Sequence, residues 1–206
     1  MKVWYASYGS NISEDRFLCY ITGDTPPGST KAERGCRDNT RPMDSAEVNM
    51  PYPLYFAKKR SKWGEGGVAF IDHKKSEAAN ATVGKMYLIT DEQFADVVAQ
   101  ENNQSTMDID LEKVIRNGHL KIRPGWYGRI IYLGEENGYP IFTFTNNEPM
   151  NVQELNKPAI PYIRTIANGM LDLGYDQQQV VDYFLTKNGI VGEFSEETLW
   201  SYIFDE

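Results

Sequence analysis

Strand-like and helix-like patterns are segregated along this chain, and the segregation limits the fold more than any single motif does. Six runs read as strands: residues 3–8, 54–56, 68–71, 82–89, 127–133 and 139–145. They are rich in β-branched and aromatic residues or alternate apolar with polar ones. Glu135-Glu136-Asn137-Gly138 joins the last two, and its Asn-Gly pair suits a tight hairpin turn. From Pro158 onward the pattern is mainly helical. One apolar face takes in Tyr162, Ile163, Ile166, Met170 and Leu173 and stops at Gly174. Val180, Val181, Phe184 and Leu185 mark a second helix, and Leu199, Trp200, Tyr202 and Ile203 a third. Strands that precede helices without regular interleaving predict an α+β fold rather than a doubly wound sheet. With 206 residues, 41% of them hydrophobic, the chain can bury a sizeable core.

A net charge of −8 argues against a nucleic-acid partner, which would call for a basic face. No apolar run reaches membrane-spanning length, and Met1-Lys2-Val3 leads directly into a strand pattern rather than a signal peptide. Cys19 and Cys36 form no CxxC and have no histidine nearby, so they read as reduced thiols of a cytoplasmic protein. His73 and His119 lack metal-ligand spacing, and Ser10 has no placed histidine base.

The first strand breaks at Gly9, and Phe17, Tyr20 and Ile21 then fall on one face of a helix. Strand, tight turn and helix start bring backbone N–H groups to one point, reinforced by the positive end of the helix dipole. Such a loop is suited to a carboxylate, a phosphate or a developing oxyanion; a plain βα connection is the bland alternative. Asn11 with Glu14, or Ser13 with Arg16, offers a cap. Glycine at position 9 keeps the turn unrestricted and lets a ligand approach the backbone.

Residues 23–49 are polar and long for a connection inside a compact domain, which predicts either an excursion that shapes a site or a flap. Lys58, Lys59, Arg60 and Lys62 form a solvated hairpin or a patch that attracts anions. The glycines of Trp63-Gly64-Glu65-Gly66-Gly67, set before a strand, suit a plain turn or the close approach of another backbone or a ligand. Thr90-Asp91-Glu92-Gln93 is a strong helix start. Phe94, Val97 and Val98 follow as an apolar stripe whose next position is Glu101. There, burial and the helix dipole both disfavour a negative charge, which suits a carboxyl group to proton transfer. Alternatively the helix frays by Ala99 and Glu101 turns into water.

Three segments together are similar to the γ-glutamylcyclotransferase-like superfamily. They are Tyr8-Gly9-Ser10-Asn11 after an N-terminal strand, Trp63 through Ile71, and Val83-Gly84-Lys85-Met86-Tyr87-Leu88 leading to the helix that ends Gln100-Glu101. Pro161-Tyr162 with the helix to Gly174 is a looser match. The resemblance covers roughly residues 3–174. It implies a small mixed, barrel-like sheet flanked by helices over a domain of residues 1–174; the helical patterns of residues 175–206 are read as an extension packed on it. Stretch 23–49 and that extension depart from the family's pattern.

By the same resemblance, Glu101 is the catalytic acid/base and Tyr8, Gly9, Ser10, Asn11 and Ile12 form the substrate cradle. Tyr162 is either a pocket hydroxyl or a buried helix tyrosine. The implied reaction is an intramolecular aminoacyl transfer of the lyase class. The α-amine of a γ-glutamyl group attacks its own γ-carbonyl, giving 5-oxoproline and a free amine, amino acid or peptide, as in glutathione breakdown. That chemistry calls for no metal or cofactor; the partner expected is a small γ-glutamyl molecule. The competing expectations are a non-catalytic module that binds a small acidic metabolite, and another acyl-transfer enzyme on the same scaffold.

Overall fold

The computed structural model describes residues 1–26, 31–76 and 81–205. Among them the chain forms the strands β1 (Lys2–Ser7), β2 (Asp44–Met50), β3 (Leu54–Ala57), β4 (Arg60–Ser61), β5 (Gly64–Glu65), β6 (Val68–Ile71), β7 (Thr82–Thr90), β8 (His119–Lys121), β9 (Arg129–Glu136) and β10 (Tyr139–Thr145). The helices are α1 (Glu14–Thr22), α2 (Asp91–Glu101), α3 (Leu111–Asn117), α4 (Ile160–Asp172), α5 (Gln177–Leu185) and α6 (Glu196–Phe204). No helix among the described residues is long and apolar enough to cross a membrane.

The fold is α+β, built on a mixed six-stranded sheet in the order β2-β7-β1-β10-β9-β8. β1 runs parallel to β10 and antiparallel to β7, in register from Lys2 opposite Thr90 to Ser7 opposite Lys85. The order ends on β2 and β8, and no closed barrel forms among the described residues. The β9–β10 hairpin turns at Asn137 and Gly138, both with positive φ, as the Asn-Gly pair predicts.

The chain divides into two compact units. The first comprises Met1–Ser7, Glu14–Val48 and Lys85–Asn147. Its core lies where β1, β7, β9 and β10 meet α1, α2 and α3. Tyr5 stacks on Phe144 at 5.2 Å and Phe17 on Tyr87 at 4.0 Å, with Phe94, Val97, Val98, Val114 and Ile130 fully buried around them.

Stretch 23–49 is fastened to its unit where it is described; residues 27–30 lie outside the described residues. Residues 35–43 are fastened to α1, α2 and β7. Cys36 donates its N–H to Ile21 O, Gln93 Nε2 bonds to Asp38 O and Thr40 O, and Met43 N–H meets Leu88 O. Arg37 also reaches the buried Asp96 at 3.0 Å. The stretch then ends in β2, an edge strand.

The second unit comprises Tyr8–Ser13, Asn49–Gly84 and Glu148–Glu206. Here β3 pairs antiparallel with β6, and α4 packs with α5 and α6. Residues 175–206 thus supply two of this unit's helices. The glycines ahead of β6 mark a close backbone approach. A Cβ on Gly66 would lie 2.5 Å from Ala159 N, and one on Gly67 2.5 Å from Asn156 O. The basic cluster is a hairpin in which Lys59 pairs with Glu154 at 2.9 Å and Arg60 with Glu65 at 3.3 Å.

Candidate active site

In the first unit the site is built from the ends of two helices. A complete capping box starts α2, with Thr90 and Gln93 each accepting the other's backbone N–H. The apolar stripe of α2 faces the core, and the helix runs intact to Glu101, its last residue. This removes the fraying alternative. Both neighbours pin the end of the helix. Gln100 donates to Tyr20 O and accepts from Gly35 N–H, while Asn102 Nδ2 donates to Val98 O and Tyr127 O. Glu101 is half-buried.

Arg16 and Tyr20 lie one helical turn apart on α1, so their side chains share a face. Both are almost wholly buried. Arg16 Nη2 donates to Glu33 Oε1 at 2.6 Å and to Tyr20 Oη at 3.2 Å. The Tyr20 phenol in turn hydrogen-bonds the Glu101 carboxylate. Burial pushes the Tyr20 pKa well above the usual tyrosine range, and the charge of Glu101 and its hydrogen bond add to this, against the opposing charge of Arg16. Burial works against the Arg16 cation, yet Tyr20, Glu33 and Glu101 together outweigh it and hold its pKa above the usual value. Two carboxylates, one guanidinium and one neutral phenol therefore form a connected polar cluster. At the end of β1, on the face that carries Val3 and Tyr5, Ser7 Oγ is buried with no hydrogen-bond partner among the described residues.

In the second unit the chain leaves β1 and makes a 3-10 turn at Ser10–Ile12 before reaching α1. The turn closes with Ile12 N–H on Gly9 O and Ser13 N–H on Ser10 O. Tyr8, Ser10, Asn11 and Ile12 are all buried. Gly9 has φ −106°, so its backbone is not left-handed and the turn does not require glycine on that ground. Space requires it instead: a Cβ would stand 2.7 Å from Tyr162 Oη. The Tyr162 hydroxyl accepts the backbone N–H of Ala69 at 3.1 Å, and its ring lies 5.2 Å from Trp63. Farther along α4, Gly169 lets the helix press on Ile12 and Ser13.

Loop 8–13, the segment from Trp63 to Ile71 and the helix opened by Pro161-Tyr162 are thus assembled in one unit around the Tyr162 hydroxyl. Glu101 belongs to the other unit, with Arg16, Tyr20 and Glu33. Sequence reasoning missed these last three and Ser7. The i, i+4 spacing of Arg16 and Tyr20 was visible, but Tyr20 counted only as a member of an apolar stripe. Among the described residues no group of three or more His, Cys, Asp or Glu side chains could hold a metal ion.

No protein-family model matches the chain. Histone deacetylase 5 of Arabidopsis thaliana is 34% identical to it over 204 residues, which cover 91% of this chain but only 31% of that protein. The chain therefore spans about a third of the length of this relative. Among solved structures, a gamma-glutamyl cyclotransferase superposes with a TM-score of 0.50 at 14% identity over 98% of both chains. An uncharacterized protein from Homo sapiens superposes with a TM-score of 0.49 at 16% identity, also over 98% of both.

Proposed function

We propose, from the γ-glutamylcyclotransferase-like fold that this chain has, that it cyclises a γ-glutamyl group to 5-oxoproline and releases an amine, amino acid or peptide. The observation that carries this reading is Glu101. The sequence pattern picks it out, a capped helix with both adjacent side chains anchored supports it, and a protonated phenol bonds to it.

In this reaction the substrate's α-ammonium gives a proton to Glu101, and the freed amine attacks the γ-carbonyl of the same molecule. A C–N bond forms and the original amide C–N bond breaks. The attacking nitrogen sheds two protons in becoming the lactam N–H, one before attack and one as the new bond forms. The departing nitrogen takes up two and leaves as an ammonium, with Glu101 accepting and returning them in turn. Because both reacting groups belong to one molecule, the protein's main task is to hold the glutamyl chain curled, an effect that can reach about 7–11 kcal/mol. Backbone N–H groups around Gly9, Ser10 and Asn11 are suited to the α-carboxylate or the oxyanion. The unpartnered Ser7 hydroxyl, which directly precedes that loop in the chain, adds a further polar group for a ligand.

The test is incubation with γ-glutamyl peptides, γ-glutamyl amines and glutathione, with 5-oxoproline quantified. Glu101→Gln is expected to abolish release while circular dichroism and melting temperature stay as in the unaltered protein. Full activity in that variant would refute the role given to Glu101. A second reading is a module on the same fold that binds a γ-glutamyl or other small acidic metabolite without turning it over. Calorimetric binding of 5-oxoproline or a γ-glutamyl amine with no product formed would favour that one.

A further inference from the structure

Arg16, Tyr20 and Glu33 have no step in the reaction above, yet they form a hydrogen-bonded cluster with two of its three members almost wholly buried. We propose that Tyr20 is the positioning residue of Glu101, with Arg16 and Glu33 fixing the direction in which the phenol points. The proposal rests on the assignment of Glu101 as the reacting carboxylate.

Hydrogen-bond direction decides which group each atom of the phenol serves. A phenol has one O–H to give and lone pairs to receive. Arg16 has donors only, so the 3.2 Å contact of Nη2 with Tyr20 Oη fills a lone pair of the oxygen. The phenol's single proton is then left for the Glu101 carboxylate, the acceptor it meets. Tyr20 is 1% exposed and Arg16 4% exposed, so water does not compete for either contact.

Glu33 has a separate task. Its 2.6 Å bond to the same guanidinium nitrogen holds Arg16 in place and balances its charge. A buried cation with no counter-charge would otherwise draw the Glu101 carboxylate towards itself. Burial and the adjacent carboxylate keep the phenol protonated across the physiological range, so Tyr20 cannot act as the base. It can only hold one carboxylate oxygen and leave the other for the substrate.

Tyr20→Phe removes the hydroxyl and keeps the ring, and Arg16 retains Glu33 as partner. We expect kcat for 5-oxoproline release to fall about 10- to 100-fold with KM within about twofold, the pattern of a misplaced catalytic group rather than weakened binding. Glu33→Gln, which keeps an acceptor for Arg16 but removes the charge, should lower kcat less. A kcat for Tyr20→Phe within twofold of the unaltered enzyme would overturn the proposal.

A second measurement does not depend on turnover. In protein labelled with 13C at the glutamate carboxyl carbons, the resonance that disappears in Glu101→Gln identifies Glu101. Tyr20→Phe should move that resonance at neutral pH and leave the others in place. If the resonance stays where it was, the Tyr20–Glu101 bond is not the one described, whatever the activity. If it moves while the unaltered protein makes no 5-oxoproline from any γ-glutamyl substrate, the positioning contact stands and the proposed reaction falls.

Discussion

Substituting Gly169 by alanine sets two known effects against each other at one atom. In an isolated helix the change favours folding by about 0.8–1.0 kcal/mol, because glycine is a poor helix former. In this protein the new Cβ would meet Ile12 Cγ2 and Ser13 N at 2.6 Å and Ile12 C at 2.8 Å. Ordinary contact begins at 3.4 Å, so α4 and the 3-10 turn must separate by about 0.8 Å. Two of the three atoms are backbone, which cannot be relieved by a rotamer change. The upper part of the range for overpacking, about 1–3 kcal/mol, therefore applies. The clash outweighs the propensity gain, and we expect a net loss of about 1–2 kcal/mol. For a chain of this size that lowers Tm by roughly 2–8 °C. The displaced turn carries the residues proposed to hold the substrate, and on that proposal a shift approaching 1 Å costs on the order of 100-fold in turnover. Thermal melts followed by circular dichroism, with 5-oxoproline release measured on the same preparation, read both effects. A variant that melts higher and turns over normally would refute the close contact between α4 and residues 12–13.

Two further outcomes follow from other buried groups. Tyr162→Phe leaves the buried Ala69 N–H without the hydroxyl that accepts it at 3.1 Å. It should cost about 1–3 kcal/mol in urea unfolding, and an unchanged midpoint would contradict a structural role for that hydroxyl. Burial lowers the Lys187 pKa from 10.5 to about 8, with Nζ 3.1 Å from Ala81 O and 4.1 Å from the centroid of the Tyr183 ring. The folded protein thus sheds this proton at lower pH than the unfolded chain. Stability should rise as pH climbs from about 8 to 10.5, by at most about 3 kcal/mol, and gain nothing from this group below pH 8. Lys187→Met removes that rise, and parallel pH profiles for the two proteins would contradict the assignment.

Where local chemistry determines structure, the sequence could be read directly. The Thr90–Gln93 box, the stripe that leads to Glu101, the Asn137-Gly138 turn and the three C-terminal helices all announce themselves within a few residues of where they act. The fold class followed from their order along the chain. What could not be read depends on partners far away in sequence. β2 has no sustained apolar alternation and is mostly exposed, because it is an edge strand. Residues 35–43 look like a loop because they are held by polar bonds to α1, α2 and β7, and no periodicity encodes such bonds. Glu33 is in the same position, since nothing near it in the chain points to Arg16. Gly9 was legible as a requirement but not in its reason, which is the Tyr162 oxygen rather than the backbone angle.

The interleaving of the two compact units has a consequence for how such a protein can be cut or passed on. The polypeptide moves from one unit to the other after residues 7, 13, 48, 84 and 147, so neither unit corresponds to a contiguous piece of gene. A fragment ending anywhere before residue 148 lacks most of the second unit, and one beginning after residue 13 loses β1 from the middle of the sheet along with residues 8–13. Recombination can therefore transplant it only as an undivided cassette.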